Sequence, residues 1–273
     1  SILSGDTCTA LTASYADGYA SFTTTVLSRF AVDVPGKRSS VTISLTPTVS
    51  GGKASASVDA DEAKKALEDL KDGGELILDA TTSKAISASE VTLPKSILES
   101  LIKQKQSLRV RMNGVELALD ASALSGAAAK LTGTSFRVCS EQLANVNLPK
   151  AARSTFENAD LWRVWLTDGT RELTELTSGT ASVTLTYTPE KTQNAADFRA
   201  YAISDDGTYD VLTATNDKTA YTLIFSGRRL GVFALTDRLK ELVSNYAILT
   251  EAEEEYALIE RAENEKIDRA RRL

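Results

Sequence analysis

Between residues 134 and 236 the sequence alternates short runs of β-branched and aromatic residues with turn signals, and this rhythm restricts the fold more than any other feature. The runs are SFRVCS, LWRVWLTD, ASVTLTYTP, FRAYAIS, TYDVLTA, TAYTLIF and LGVFALT. They are set apart by Asp168-Gly169, Asp206-Gly207 and Asn216-Asp217. Such side chains fit a pleated, half-buried surface, and Asp or Asn beside glycine supplies the backbone reversal. Many short strands at regular spacing predict an antiparallel β-sandwich over 131–237.

Upstream, residues 53–130 mix helices with strands. Asp59 or Asp61 caps a helix whose apolar residues Ala63, Ala66, Leu67 and Leu70 recur at helical spacing, and Gly73-Gly74 stops it. ELILD at 75–79 is a strand, and ISASEVTLP is another. Pro94 opens a second helix, PKSILESLIKQ, since proline suits a first helical turn. LRVRM and VELALD form a hairpin about Asn113-Gly114, and a third short helix runs from Ser122 to Lys130. Residues 34–52 hold a Val34-Pro35-Gly36-Lys37 break, one alternating strand at 40–49 and a Ser50-Gly51-Gly52 stop. After Thr236-Asp237, residues 238–273 read as a helical extension with the apolar stripe Leu239, Leu242, Val243 and Tyr246. The predicted class is α+β, mostly β: an α+β subdomain over 53–130, a sandwich over 131–237 and a C-terminal α-helical extension.

Residues 1–33 echo the end of the sandwich. FTTTVLSRFAV at 22–32 and FSGRRLGVFAL at 225–235 share Phe, Leu, Phe and Ala at one constant offset: Phe22 with Phe225, Leu27 with Leu230, Phe30 with Phe233, Ala31 with Ala234. TALTA at 9–13 also resembles VLTA at 211–214. Internal similarity of this kind marks repeated modules. Residues 1–33 are expected to be the terminal strands of a preceding or repeated module. Three strands do not make a core alone, and their open edges seek partners. Phe22, Leu27 and Phe30, with Leu239, Leu242 and Tyr246 in the extension, are the expected contacts to neighbouring modules or subunits.

Composition narrows the chemistry. The chain has no histidine, which removes Ser–His–Asp triads, Cys–His dyads and His-based zinc sites within it. Its net charge is −6, which argues against a nucleic-acid footprint or attraction to anionic lipid. No apolar run reaches the roughly 18 residues of a membrane span, so no membrane insertion is expected. Ser1 is not an initiator Met and no signal-peptide pattern follows it, so the start is read as processed, or the chain as a piece of something longer. Cys8 and Cys139 form one disulfide in an oxidising compartment, or else each is a small buried apolar residue. The acidic pairs Asp59/Asp61 and Asp205/Asp206 read as a helix cap and a solvated turn. No metal and no cofactor is expected. Trp162 and Trp165 lie three residues apart on one strand and face opposite sides. One belongs to the core, and the other is a candidate stacking surface for a sugar or an intermodule contact.

The order of ASASVDADEAKKALE, VTLPKSILESL, the NGVELALD hairpin, LWRVWLTDG, VTLTYTP, FRAYAISDDGTY and the closing aromatic strand resembles a β-rich module of large Firmicutes cell-surface proteins. Those proteins often carry bacterial immunoglobulin-like or S-layer homology domains. The resemblance covers about 53–237 together with 1–33. It implies a non-enzymatic structural or adhesive module, extracellular at the Gram-positive cell surface or wall, whose partners are neighbouring modules or subunits. A cell-wall polysaccharide-binding module and a degenerate autoproteolytic sensor-type domain are the alternatives. In that family the closing strand often carries a His-Leu-Ser-type triplet. Here the matching positions are Val26-Leu27-Ser28 and Arg229-Leu230-Gly231, the first without the base and the second without base or nucleophile.

Overall fold

The structure, a computed structural model, describes residues 38–239 in full and, ahead of them, the backbone of five short strands. These are β1 (Ile2–Ser4), β2 (Thr7–Thr9), β3 (Ser14–Ala16), β4 (Tyr19–Ser21) and β5 (Arg29–Phe30). β1 pairs antiparallel with β2 and with β5, and β3 with β4.

The chain continues through β6 (Arg38–Ser44), β7 (Thr48–Ser50), β8 (Lys53–Ser57), α1 (Ala60–Glu68), β9 (Leu70–Asp79), β10 (Ala88–Pro94) and α2 (Lys95–Lys103). The hairpin of β11 (Ser107–Met112) and β12 (Val115–Leu119) leads into α3 (Ala121–Lys130) and β13 (Ser135–Leu143). A 3-10 turn at Asn145–Asn147 and α4 (Lys150–Arg153) precede β14 (Asp160–Thr167), β15 (Glu172–Leu173) and β16 (Ala181–Thr186). Last come β17 (Arg199–Ile203), β18 (Tyr209–Val211), β19 (Ala214–Asp217), β20 (Thr222–Gly227) and β21 (Gly231–Thr236).

From β6 onward the strands form two sheets. Sheet I has seven strands in the order β19-β20-β16-β12-β11-β9-β6. Sheet II has nine, in the order β18-β17-β21-β14-β13-β10-β8-β7, with β15 paired to β14. Their facing side chains make one continuous core: Leu76, Leu78, Leu117, Val183 and Phe225 from sheet I meet Val91, Phe136, Trp162, Val164 and Phe233 from sheet II. Period-2 burial along the strands makes this possible, as β11 and β12 alternate buried and half-buried residues throughout. The protein is therefore α+β and mostly β, with few helices.

The three longer helices all cross between the sheets. α1 carries the chain from β8 in sheet II to β9 in sheet I, α2 from β10 to β11, and α3 from β12 back to β13. They lie side by side, α1 on α2 and α2 on α3. Asp59 caps α1 by accepting the amide hydrogens of Asp61 and Glu62, and Asp120 caps α3 through the Ala123 amide. Parallel strands need such crossovers. Here they generate a coil: Ser40 lies beside Glu75, Lys53 beside Ala88, and Ala60 opens α1 as Lys95 opens α2, a spacing of 35 residues each time.

Several elements depart from the sequence reading. The predicted strand at 40–49 is two strands in different sheets, β6 and β7, because the chain crosses the sandwich at Leu45-Thr46-Pro47. TYDVLTA likewise divides into β18 and β19, one in each sheet. β9 begins at Leu70, ahead of Gly73-Gly74, and the register against β6 shifts between Arg38 and Ser40. The expected division into 53–130 and 131–237 is replaced by a shared architecture. β9, β11 and β12 sit in the same sheet as β16 and β20, and β8 and β10 in the same sheet as β13 and β14. The physical reason is the crossover pattern, which alternates the chain between sheets and leaves neither half a core of its own. Of the expected extension, Arg238 and Leu239 are described and are not helical, and residues 240–273 lie outside the described residues.

Candidate functional site

A second, smaller cluster covers part of the outer face of sheet II. Leu148, Ala152 and Phe156, from the segment between β13 and β14, pack on Leu161, Tyr201, Ile203 and Ala234, with Leu239 half-buried against them. Phe156 meets Tyr201 and Tyr209 at 5.5 Å and 5.1 Å between ring centroids. Beside this cover β14 presents Arg163 and Trp165, both half-exposed among the described residues.

Alternation on β14 separates the two tryptophans. Trp162 points into the core, 8% exposed, and its indole N–H donates to the Thr186 carbonyl at 3.1 Å. Trp165 stands half-exposed on the opposite face. The Arg163 guanidinium lies 4.5 Å from the Trp165 ring centroid and donates to the Glu172 carboxylate on β15. Both charges are solvated, so the pair adds little stability, but it fixes the arginine against the indole.

A groove of about 540 Å³ opens next to Arg163, over the start of β21. Gly231 begins that strand at φ +105°, a conformation that favours glycine. One arm of the groove is Glu172, Thr174 and Glu175, and the other is Ser204 and Asp205 at the tip of the β17–β18 hairpin. Arg229 ties the arms together. It donates to Asp210 Oδ2 at 2.9 Å and Ser204 Oγ at 2.8 Å, while its backbone bridges Glu175. The triplet Arg229-Leu230-Gly231 thus contributes a committed guanidinium, a buried leucine and a glycine, and holds no nucleophile.

Other titratable groups are structural. Cys139 is free and buried, and burial, then the Glu90 charge, push its thiol up to about 12. It is therefore a protonated, unreactive sulfur at neutral pH. The Cys8 side chain lies outside those described. Asp168 accepts from the Arg171 amide, the Thr170 hydroxyl and amide, and the Gly133 amide, and these bonds hold its carboxyl well below the usual range. Asp206 accepts from the Thr208 amide and hydroxyl in the hairpin turn. Burial raises the Asp160 carboxyl, which accepts from the Thr188 amide at 2.7 Å. Among the described residues no group of three or more His, Cys, Asp or Glu could hold a metal ion, and no helix is long and apolar enough to cross a membrane.

Of the residues singled out in sequence, Trp165 holds Arg163, which lines the groove, Asp205 and Arg229 line it themselves, Trp162 is core and Leu239 packs on the second cluster. The side chains of Phe22, Leu27, Phe30, Leu242 and Tyr246 lie outside the described residues. The groove residues Arg163, Glu172 and Glu175 went unnoticed in the sequence, while Asp205 was read as part of a solvated turn and Arg229 as part of the triplet without a base or nucleophile. They come from three separate stretches, and the pairing of β14 with β15 and β21, and of β21 with β17, brings them together. A charged residue two positions from Trp165, hence on the same strand face, was the one available signal.

The fold defines a two-sheet, mostly β sandwich with crossover helices and a polar groove on one outer face. No family model, curated protein or solved structure matches the chain.

Proposed function

We propose that the chain is a non-enzymatic structural or adhesive module of a bacterial cell-surface protein, extracellular, and coupled to neighbouring modules or subunits through its terminal segments. The pattern resemblance to Firmicutes surface modules motivates the setting. The observation that carries the reading is what the echoed residues do in the second copy. Phe225, Leu230, Phe233 and Ala234 are all buried, and the rings of Phe225 and Phe233 lie 4.9 Å apart. Their counterparts Phe22, Leu27, Phe30 and Ala31 thus repeat, in sequence, core-forming positions of β20, β21 and the link between them. A segment carrying such positions twice in one chain suits a protein assembled from repeated modules. Among the described residues the outer edge of β6 in sheet I has no strand partner, which gives a further place for strand contact.

The test is protease treatment of intact cells of the native host, followed by immunoblotting for this chain. Loss of the chain from intact cells while a cytosolic marker survives is the expected result. A chain that remains protected until the cells are lysed overturns the proposal.

A further inference from the structure

We infer that the groove on the outer face of sheet II binds a neutral oligosaccharide. The inference rests on the groove and is independent of the coupling through terminal segments proposed above. Its charged groups are arranged for a ligand that donates and accepts hydrogen bonds at once. Arg163 faces Glu172 and Arg229 faces Asp210, so each guanidinium is already compensated. That leaves no uncompensated positive charge to attract a phosphate or a uronate. Glu175 and Asp205 line the same space from its two arms, both exposed, and among the described residues neither has an ion pair or a side-chain hydrogen bond. Free carboxylates accept from hydroxyls, and the two guanidiniums, which line the same space, carry five N–H donors each, more than their shown bonds use. Adjacent sugar hydroxyls offer this mixture, donor and acceptor within one ring.

The apolar side of a sugar ring also finds a surface. Ile203, Leu230 and Val232 line the groove, and Arg163, which lines it too, rests on the half-exposed Trp165 indole. Arg163, held on the indole and on Glu172, is pre-positioned, so less ordering is required when a ligand arrives. A site with an apolar wall and a few fixed polar groups is the usual form of a small-ligand pocket.

The experiment presents the full chain to an array of neutral glycans (chitooligosaccharides, β-glucans and mannans) beside uronate-containing ones, and measures the best ligand by calorimetry. Binding to a neutral glycan is expected. Glu175→Gln and Asp205→Asn each weaken it by about tenfold or more, from loss of a charge-assisted hydrogen bond. Both residues are exposed, so the variants are expected to keep the parent melting temperature. Arg109→Gln, on the far face of sheet I, leaves affinity unchanged. Absence of binding at millimolar glycan, binding confined to acidic glycans, or affinity indifferent to both carboxylate changes would each overturn the inference.

Discussion

Gln106 places an unpartnered amide in the core. It is fully buried, and neither side-chain amide atom has a hydrogen-bond partner, although its backbone N–H donates to Leu101 at 2.9 Å. A buried polar group without a partner costs roughly 1–3 kcal/mol. Gln106→Met keeps the length and removes the orphaned atoms. It is expected to raise unfolding stability by about 1–2 kcal/mol, read as a higher urea midpoint at unchanged slope. A lower midpoint would mean that the amide is satisfied in solution. Asp168 is the opposite case, a carboxylate met by four donors that fastens the β14–β15 turn to the loop before β13. The sequence reading recognised the Asp168-Gly169 turn. It had no means to see that Gly133 donates from 35 positions away.

Among elements, the β11–β12 hairpin was the most legible, because Asn113-Gly114 encodes its own turn. Its contact with the core was not. Gly114 sits at φ +74°, and a Cβ there would come within 2.4 Å of the Trp162 ring. Gly114→Ala combines backbone strain with overpacking and is expected to destabilise by about 2–4 kcal/mol, measured by denaturant unfolding. Trp162→Phe in the same chain should recover part of that loss. A Gly114→Ala chain as stable as the parent would show that the hairpin does not seat on the indole. The coil from β6 to α2 was hidden altogether. Its equivalent residues are Ala56 and Val91, Val58 and Leu93, Ala63 and Leu98, Ala66 and Leu101, and all are buried. Burial is kept from one turn to the next, but side-chain volume is not, so a comparison of letters finds nothing. The small residues of α1 and the large ones of α2 fill complementary space, as close packing requires.

For the whole molecule, most strands could be read from alternation and turns, whereas their allotment to two sheets could not. The gaps between β6 and β7 and between β18 and β19 look like ordinary short turns, yet each is a passage from one sheet to the other. The expected boundary at 130/131 rested instead on the place where mixed helices and strands give way to strands alone, a change of pattern that carries no sheet membership. Since both sheets draw strands from either side of it and share one core, residues 38–236 should unfold as one cooperative unit. Calorimetry is expected to give a single transition with equal calorimetric and van't Hoff enthalpies. Two resolved transitions from this region would restore the two-subdomain division. The groove follows the same logic of scale: its charges are visible as letters, but their convergence depends on which strands are neighbours.

The 35-residue winding from β6 to α2 makes the breadth of this protein adjustable in whole steps. One in-frame duplication of the stretch 60–94 would supply a helix for the row and a strand for each sheet. It would widen the sandwich by one inter-strand spacing, about 4.8 Å, while the hairpins beyond it kept their neighbours. A lineage or a designer could therefore lengthen the body by copying a turn, with no new packing scheme to invent.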